Sequence, residues 1–208
     1  MKTNNSFVVH NIWSTPIYEN FISVDNEWIK IAKNEKFERM NSKNGDISSD
    51  FYILEKIPNL KNEILKHCNF FLDKYLFINK NIQFYLTNSW LVKHKFKDFA
   101  QNHFHTNSLL SGVFYLETPE NSGHICFLRN THTNYIFPIS FNIDFEKQNN
   151  TNCFDYKIEV KKGKIIIFPS HLYHSVLENF SNEDRYSLAF NFYAKGKMGN
   201  NEFQLDIK

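Results

Sequence analysis

Residues 82–96 read IQFYLTNSWLVKHKF, and here the chain changes its period. Leu86, Asn88, Trp90 and Val92 alternate with Thr87, Ser89, Leu91 and Lys93, the pattern of a pleated strand with two different faces. Upstream, apolar residues return every three or four positions instead. In IPNLKNEILKHCNFFLDKYLF, residues 57–77, Leu60, Ile64, Cys68, Phe71, Leu72 and Tyr75 fall on one helical face. Pro58 sits at its first turn, where a missing N–H does no harm. A second helix is expected after Asp25 as N-cap, with Trp28, Ile31, Ala32 and Glu35 at helical steps. Downstream the two-residue period persists in LLSGVFYLE (109–117), HICFL (124–128), YKIEV (156–160), KIIIF (164–168) and RYSLAFNFYA (185–194). Turns are expected at PENSG (119–123) and KKGK (161–164). Helices first and antiparallel strands afterwards predict a mainly-β architecture with flanking helices (α+β). Its core would be a two-sheet jelly roll, or double-stranded β-helix, of the cupin-like kind. We expect one domain over 1–208, mixed and helical to about residue 80, with the jelly-roll core over about 82–195.

The bulk numbers narrow the function. Lys and Arg number 24 against 22 Asp and Glu, a net charge of +2 with no basic stripe, which argues against binding driven by phosphate neutralisation. The 22 Phe and 10 Tyr favour strands with packed aromatic faces over disorder. No stretch approaches the length of a membrane-spanning helix, and the first residues, MKTNNSFVVHNIWSTPIYENF, lack a signal-peptide pattern. Cys68, Cys126 and Cys153 frame neither a disulfide set nor a zinc knuckle. The expectation is a reduced, soluble, cytoplasmic protein with no membrane partner.

Three pieces of the C-terminal half carry chemistry. In NHFHTNSLLSGVFYLE, residues 102–117, His103 and His105 are two apart, so in an extended segment both imidazoles reach one side. In GKIIIFPSHLYHSVLENF, residues 163–180, a buried-type strand ends at Pro169 and His171 and His174 follow. In RYSLAFNFYA, Arg185, Ser187, Ala189, Asn191 and Tyr193 share a face opposite Tyr186, Leu188, Phe190 and Phe192. An inward arginine demands an anionic partner, and a guanidinium beside a hydroxyl suits a carboxylate. Tyr115 could add a phenol. The alternatives are a salt bridge from Arg185 to Glu117 or Glu178, and a strand end that merely happens to carry two histidines. Trp90, Asn107, Asn191 and Tyr193 are candidate pocket-lining residues, with Trp90 and Phe104 expected to pack. His10, His67, His94, His124 and His132 read as structural, and His171 as a rim residue.

The order HxH, SGVFYL, GKIIIFPSHLYHSV, RYSLAFNFY resembles the iron(II)- and 2-oxoglutarate-dependent oxygenase superfamily. More narrowly it is similar to a bacterial and phage group with H-x-H-x-N-S-x-x-S-G-V-x-Y-L, which WSTPIY and NSWLVKHKF also match. The resemblance covers most of the chain. It implies Fe(II) held by His103, His105 and His174, and 2-oxoglutarate held through its distal carboxylate by Arg185, Ser187 and Tyr115. It further implies O2 as co-substrate, hydroxylation of a C–H bond of an amino-acid or peptide side chain, and release of succinate and CO2. His105 departs from the wider superfamily, which has Asp there. Three neutral imidazoles would leave Fe(II) its full +2 charge, which the 2-oxoglutarate dianion could then neutralise; the other arrangement has His105 behind the metal ligands and water or halide in its position. A 2-oxoglutarate-independent three-histidine oxygenase resembling the thiol dioxygenases, and a non-catalytic metal- or anion-binding jelly roll, stand as alternatives. The polar segment 129–155 is long enough to cover a substrate.

Overall fold

The computed structural model describes residues 9–10, 12, 14–40, 44–129, 143–199 and 201–208. Two sheets face each other. The larger has the order β1 (Tyr18–Phe21), β9 (Lys164–Pro169), β6 (Leu110–Glu117), β11 (Arg185–Met198), β4 (Gln83–His94), β3 (Asp46–Ser48), β2 (Phe37–Arg39). A C-terminal strand, β12 (Leu205–Ile207), follows a short 3-10 turn and pairs with the far end of β11. The smaller sheet runs β5 (Ala100–His103), β10 (His174–Val176), β7 (Ile125–Leu128), β8 (Asp155–Ile158). All named strand pairs are antiparallel, and the chain crosses repeatedly between the sheets, as a jelly roll requires.

The helices lie where their apolar stripes predict. Helix α1 (Asn26–Asn34) starts at Asp25, whose carboxylate accepts from the Glu27 N–H at 2.9 Å. Short α2 (Ile53–Lys56) leads into α3 (Pro58–Lys74), with Pro58 in the first turn. Leu60, Ile64, Cys68, Phe71 and Leu72 of α3 join Trp28 and Ala32 of α1 and the outer face of the large sheet in one core with Leu91, Phe114, Leu188, Phe190 and Phe192. A second core between the sheets contains Tyr115, Ile125, Phe127, Ile158, Ile166 and Phe168. The alternation of RYSLAFNFYA thus divides between the two cores, with Leu188, Phe190 and Phe192 outside toward the helices.

Strand β4 departs from strict alternation. Asn191 pairs with Asn88 but Phe192 pairs with Leu86, so Thr87 is an extra residue. The bulge moves Leu86 to the helix-side core, away from the face of Trp90 on which simple alternation places it. The N-terminal third also supplies three strands, β1 to β3, at both edges of the large sheet; these are too short to register as periodic runs.

Candidate metal and cofactor site

The three histidines meet at one end of the barrel. His103 and His174 are direct cross-strand partners in the small sheet, and His105 follows β5 by two residues. The backbone N–H of His105 donates to the Ser170 carbonyl at 2.9 Å, which fastens this loop to the segment after β9. One ligand nitrogen from each of the three rings lies within 4.8 Å of the other two. The ring centroids are 4.2 Å apart for His103–His174, 5.1 Å for His105–His174 and 5.4 Å for His103–His105.

The second nitrogen of each ring decides what the first can do. His103 Nδ1 lies 2.7 Å from the Gln101 carbonyl and His174 Nδ1 lies 2.9 Å from the Leu172 carbonyl. His105 Nδ1 lies 2.6 Å from Asn191 Oδ1. Each partner is an acceptor, so each Nδ1 carries the hydrogen and each neutral ring keeps its Nε2 lone pair. Burial, followed by the neighbouring His103, holds His174 down at about 3, and burial likewise lowers His105. The His105 and His174 rings are therefore neutral. The donor set fits a divalent metal with N-ligand preference, and the hydrogen bonds on the far nitrogens are of the kind that orient metal-bound histidines.

Along β11 the inner face forms layers. Ser187 is flanked by Val92 and Tyr115, Ala189 by Trp90 and Val113, and Asn191 by Asn88 and Ser111. Ser187, Tyr115, Ser111 and Asn191 are buried, whereas Val92, Trp90, Ala189 and Val113 are only half-buried. The interior is thus open above Ala189, between a floor of Arg185, Ser187 and Tyr115 and the histidine end marked by Asn191. Trp90 borders both, with its ring 5.6 Å from that of His105.

Arg185 is 1% exposed. Its Nη1 donates to the Ser122 carbonyl at 2.6 Å and the Gly123 carbonyl at 3.3 Å, and Nη2 donates to His94 Nδ1 at 2.6 Å. Its Nε–H is buried without a partner, and no carboxylate pairs with it among the described residues. Glu117, one of the alternative partners, pairs with Lys33 at 2.7 Å instead. Burial lowers the Arg185 guanidinium to about 10, so it stays charged at neutral pH. A buried cation held by carbonyls and a neutral imidazole, with its Nε–H and one Nη2–H left over, fits the distal carboxylate of a dicarboxylic acid. Burial raises the Tyr115 phenol well above its ordinary range, keeping it a neutral hydroxyl beside Arg185.

Other predicted residues fall as follows. Tyr193 is half-buried and pairs with Tyr85 beyond the bulge. Asn107 is exposed in the turn before β6, with a φ of 54°. Phe104 is 42% exposed and rests on Tyr173, with ring centroids 4.9 Å apart. His171 is exposed, and His132 lies outside the described residues. Of the long connection, residues 130–142 also lie outside them; Arg129 ties its return to the barrel by donating to the Asn150 and Thr151 carbonyls, each at 2.7 Å. Three participants were missed by sequence reasoning: His94, Ser111 and Ser170. The signal for His94 was present, since it continues the inward series Trp90, Val92. Cys68, Cys126 and Cys153 are free thiols.

The family model described as "Putative 2OG-Fe(II) oxygenase" matches residues 88–191, half of the chain, and that segment contains His103, His105, His174 and Arg185. No curated protein matches by sequence. Among solved structures, the α-ketoglutarate-dependent epimerase SnoN from nogalamycin biosynthesis is similar at a TM-score of 0.60 and 12% identity, covering 88% of this chain and 81% of that one. A Pseudomonas putida prolyl-4-hydroxylase is similar at 0.53 and 12%, covering 86% and 92%. HygX from Streptomyces hygroscopicus, solved with nickel and 2-oxoglutarate bound, is similar at 0.55 and 10%, covering 86% and 82%. These likenesses show the shared double-stranded β-helix, and the match over residues 88–191 shows that the chain belongs to the 2OG-Fe(II) oxygenase family, which depends on Fe(II) and 2-oxoglutarate.

Proposed function

We propose that this oxygenase hydroxylates a C–H bond of an amino-acid or peptide side chain, with His103, His105 and His174 holding Fe(II) and Arg185, Ser187 and Tyr115 holding 2-oxoglutarate. The observation that carries the site assignment is the hydrogen-bond pattern of the rings: each Nδ1 faces an acceptor, which leaves three Nε2 lone pairs to converge. The buried Nε–H of Arg185, with no carboxylate partner, supports the second half. The likeness to a prolyl-4-hydroxylase supports the side-chain substrate. Bound there, Fe(II) and 2-oxoglutarate supply the oxidation, in which substrate R–H, O2 and 2-oxoglutarate become R–OH, succinate and CO2.

The protein contributes placement. Arg185 fixes the far carboxylate by a charge-assisted fork, and Ser187 adds a hydroxyl to the same floor. The small side chain of Ala189 leaves the carbon chain room between floor and metal. Trp90, Val92 and Val113 make that passage apolar and limit water. Arg129 holds the return of the long connection by its bonds to the Asn150 and Thr151 carbonyls.

The test is anaerobic titration of 2-oxoglutarate into Fe(II)-loaded protein, followed by succinate release in air with prolyl and lysyl peptides. A visible charge-transfer band that needs 2-oxoglutarate, and a peptide that gains one oxygen atom in step with succinate, are the expected results. Iron binding without such a band would overturn the cofactor assignment. A band without any peptide product, when other metabolite classes are turned over, would overturn the substrate assignment alone.

A further inference from the structure

His103 and His174 orient their rings locally. Each Nδ1–H donates to the carbonyl two residues earlier on its own segment, Gln101 and Leu172, so the orientation comes with the strand. His105 has no such partner. Its Nδ1–H donates to Asn191 Oδ1 at 2.6 Å, on the opposite sheet and 86 residues away in sequence. The rings around His105, Trp90 at 5.6 Å and Phe168 at 6.5 Å between centroids, can set the plane of the imidazole. They cannot tell its two edges apart. Rotation by half a turn about the ring torsion, which has two broad wells, would exchange Nδ1 with Cδ2 and Nε2 with Cε1. A carbon would then face the metal position. The bond to Asn191 is the directional contact that excludes this arrangement.

Asn191 is itself fixed. Ser111 Oγ donates to the same Oδ1 at 2.7 Å and lies 2.8 Å from Ser170 Oγ. Because the Ser111 hydrogen is committed to Asn191, Ser170 is the donor in the second bond. All three side chains are buried. Hydrogens thus run from Ser170 to Ser111 to Asn191, and the amide oxygen stays turned toward His105. An amide turned the other way would donate to Nδ1 and force the hydrogen onto Nε2, abolishing the ligand. The Ser170 carbonyl also accepts the His105 backbone N–H, so one residue helps hold both the backbone and, through the chain, the ring.

We propose that Asn191, backed by Ser111 and Ser170, is the positioning residue that makes His105 a metal ligand, in place of the carboxylate usual at that position. This rests on the three-histidine reading above. The chain that does this links the two sheets across the metal end of the barrel.

The experiment measures Co(II) affinity and visible spectrum for the wild type, Asn191→Leu, Asn191→Asp, Ser111→Ala and His105→Ala, with apo thermal midpoints as the folding control. It adds nitrogen-15 spectra of the histidine rings in the Zn(II)-loaded protein. Loss of such an outer hydrogen bond weakens metal binding about 10- to 100-fold, the fall expected for Asn191→Leu. Asn191→Asp, still an acceptor, should bind at least as tightly as the wild type, and Ser111→Ala should fall between. In the wild type and Asn191→Asp, the His105 ring should show a slowly exchanging Nδ1–H with Nε2 bound to zinc. If Asn191→Leu fails to fold, Asn191→Asp, Ser111→Ala and the ring spectra carry the test. Wild-type affinity in Asn191→Leu together with weakened binding in His105→Ala would overturn the role of Asn191 alone. Undiminished binding in His105→Ala would overturn the three-histidine reading and this inference with it.

Discussion

Replacing Arg185 by Met separates an anion anchor from a structural ion pair. A guanidinium buried to 1% exposure with no carboxylate beside it bears a desolvation cost that no protein charge offsets. Its bonds to Ser122, Gly123 and His94 return part of that cost. Met has similar length, removes the charge, and leaves those acceptors to water. The two effects oppose, so the apo protein should change stability by no more than about 2 kcal/mol in either direction. Binding is different. Two hydrogen bonds from a charged donor contribute roughly 3–4 kcal/mol, or about a 100- to 1,000-fold loss of 2-oxoglutarate affinity when removed. Ligand at a hundred times its Kd stabilises the wild type by about 2.7 kcal/mol, and at the same concentration a 100-fold weaker variant gains only about 0.4 kcal/mol. For a domain of this size that is a rise in Tm of about 5–11 °C against about 1–2 °C. Thermal melts of the metal-loaded protein with and without 2-oxoglutarate read this directly. An unchanged ligand shift in Arg185→Met would refute the anchor. Collapse of the apo protein would show that Arg185 is part of the framework instead.

Two further outcomes follow from neighbouring contacts. Burial and the adjacent Arg185 hold His94 at about 3 against an ordinary 6.5, so the unfolded chain takes up a proton first as pH falls; its contribution to stability is complete above about pH 6.5 and declines by up to about 1.4 kcal/mol per pH unit toward pH 3. His94→Asn keeps an acceptor for Arg185 but does not titrate, so chemical denaturation should show a shallower loss across that window, and an identical slope would contradict the assignment. Gly112→Ala places a Cβ against the Phe190 ring and 2.7 Å from the Ile166 carbonyl at the crossing of β6, β9 and β11. Denaturant titration should show a loss of about 2–3 kcal/mol, and a neutral result would mean the central strands can part there.

What could be read from the sequence follows the range of the forces involved. Strands β4, β6 and β11 are legible because each is long enough for its two unlike faces to show as period two, and β7, β8 and β9 because turn residues bound their apolar or β-branched runs. Strands β1, β2, β3, β5, β10 and β12 have three or four residues, too few for a period to show, and none forms an apolar run bounded by turn residues. Asp25 and Pro58 mark helix starts through local chemistry, independent of the fold. The bulge at Thr87 left no sign, because an extra residue is defined only against a partner strand, and it sent Leu86 to the other core. The histidines and Arg185 stand out as polar residues on inward faces. Their supports do not, since Ser111, Ser170 and Asn191 meet only when β6, β9 and β11 align. His94 shows the cost of weighing a histidine by itself: its inward position along β4 was already fixed by Trp90 and Val92.

The charge pattern explains why these supports are neutral. The candidate ligands are imidazoles, which bring no negative charge, one of them oriented by an amide, and the one charged group on the floor is Arg185. A dication placed at the histidine end therefore shares the interior with a cation and meets no carboxylate ligand among the described residues. The dianion is what relieves both. On the proposed assignment, one end of 2-oxoglutarate would offset Arg185, whose Nε–H otherwise stays buried and unpaired, and the other would offset the metal. Each occupant lowers the cost of admitting the other, and linkage makes the benefit equal in the two directions. A carboxylate at position 105 would offset part of the metal charge from within the protein and weaken that coupling. A third histidine held by Asn191 would leave the compensation to the co-substrate, so that the metal end and the arginine floor would act as one site although they are built on opposite sheets.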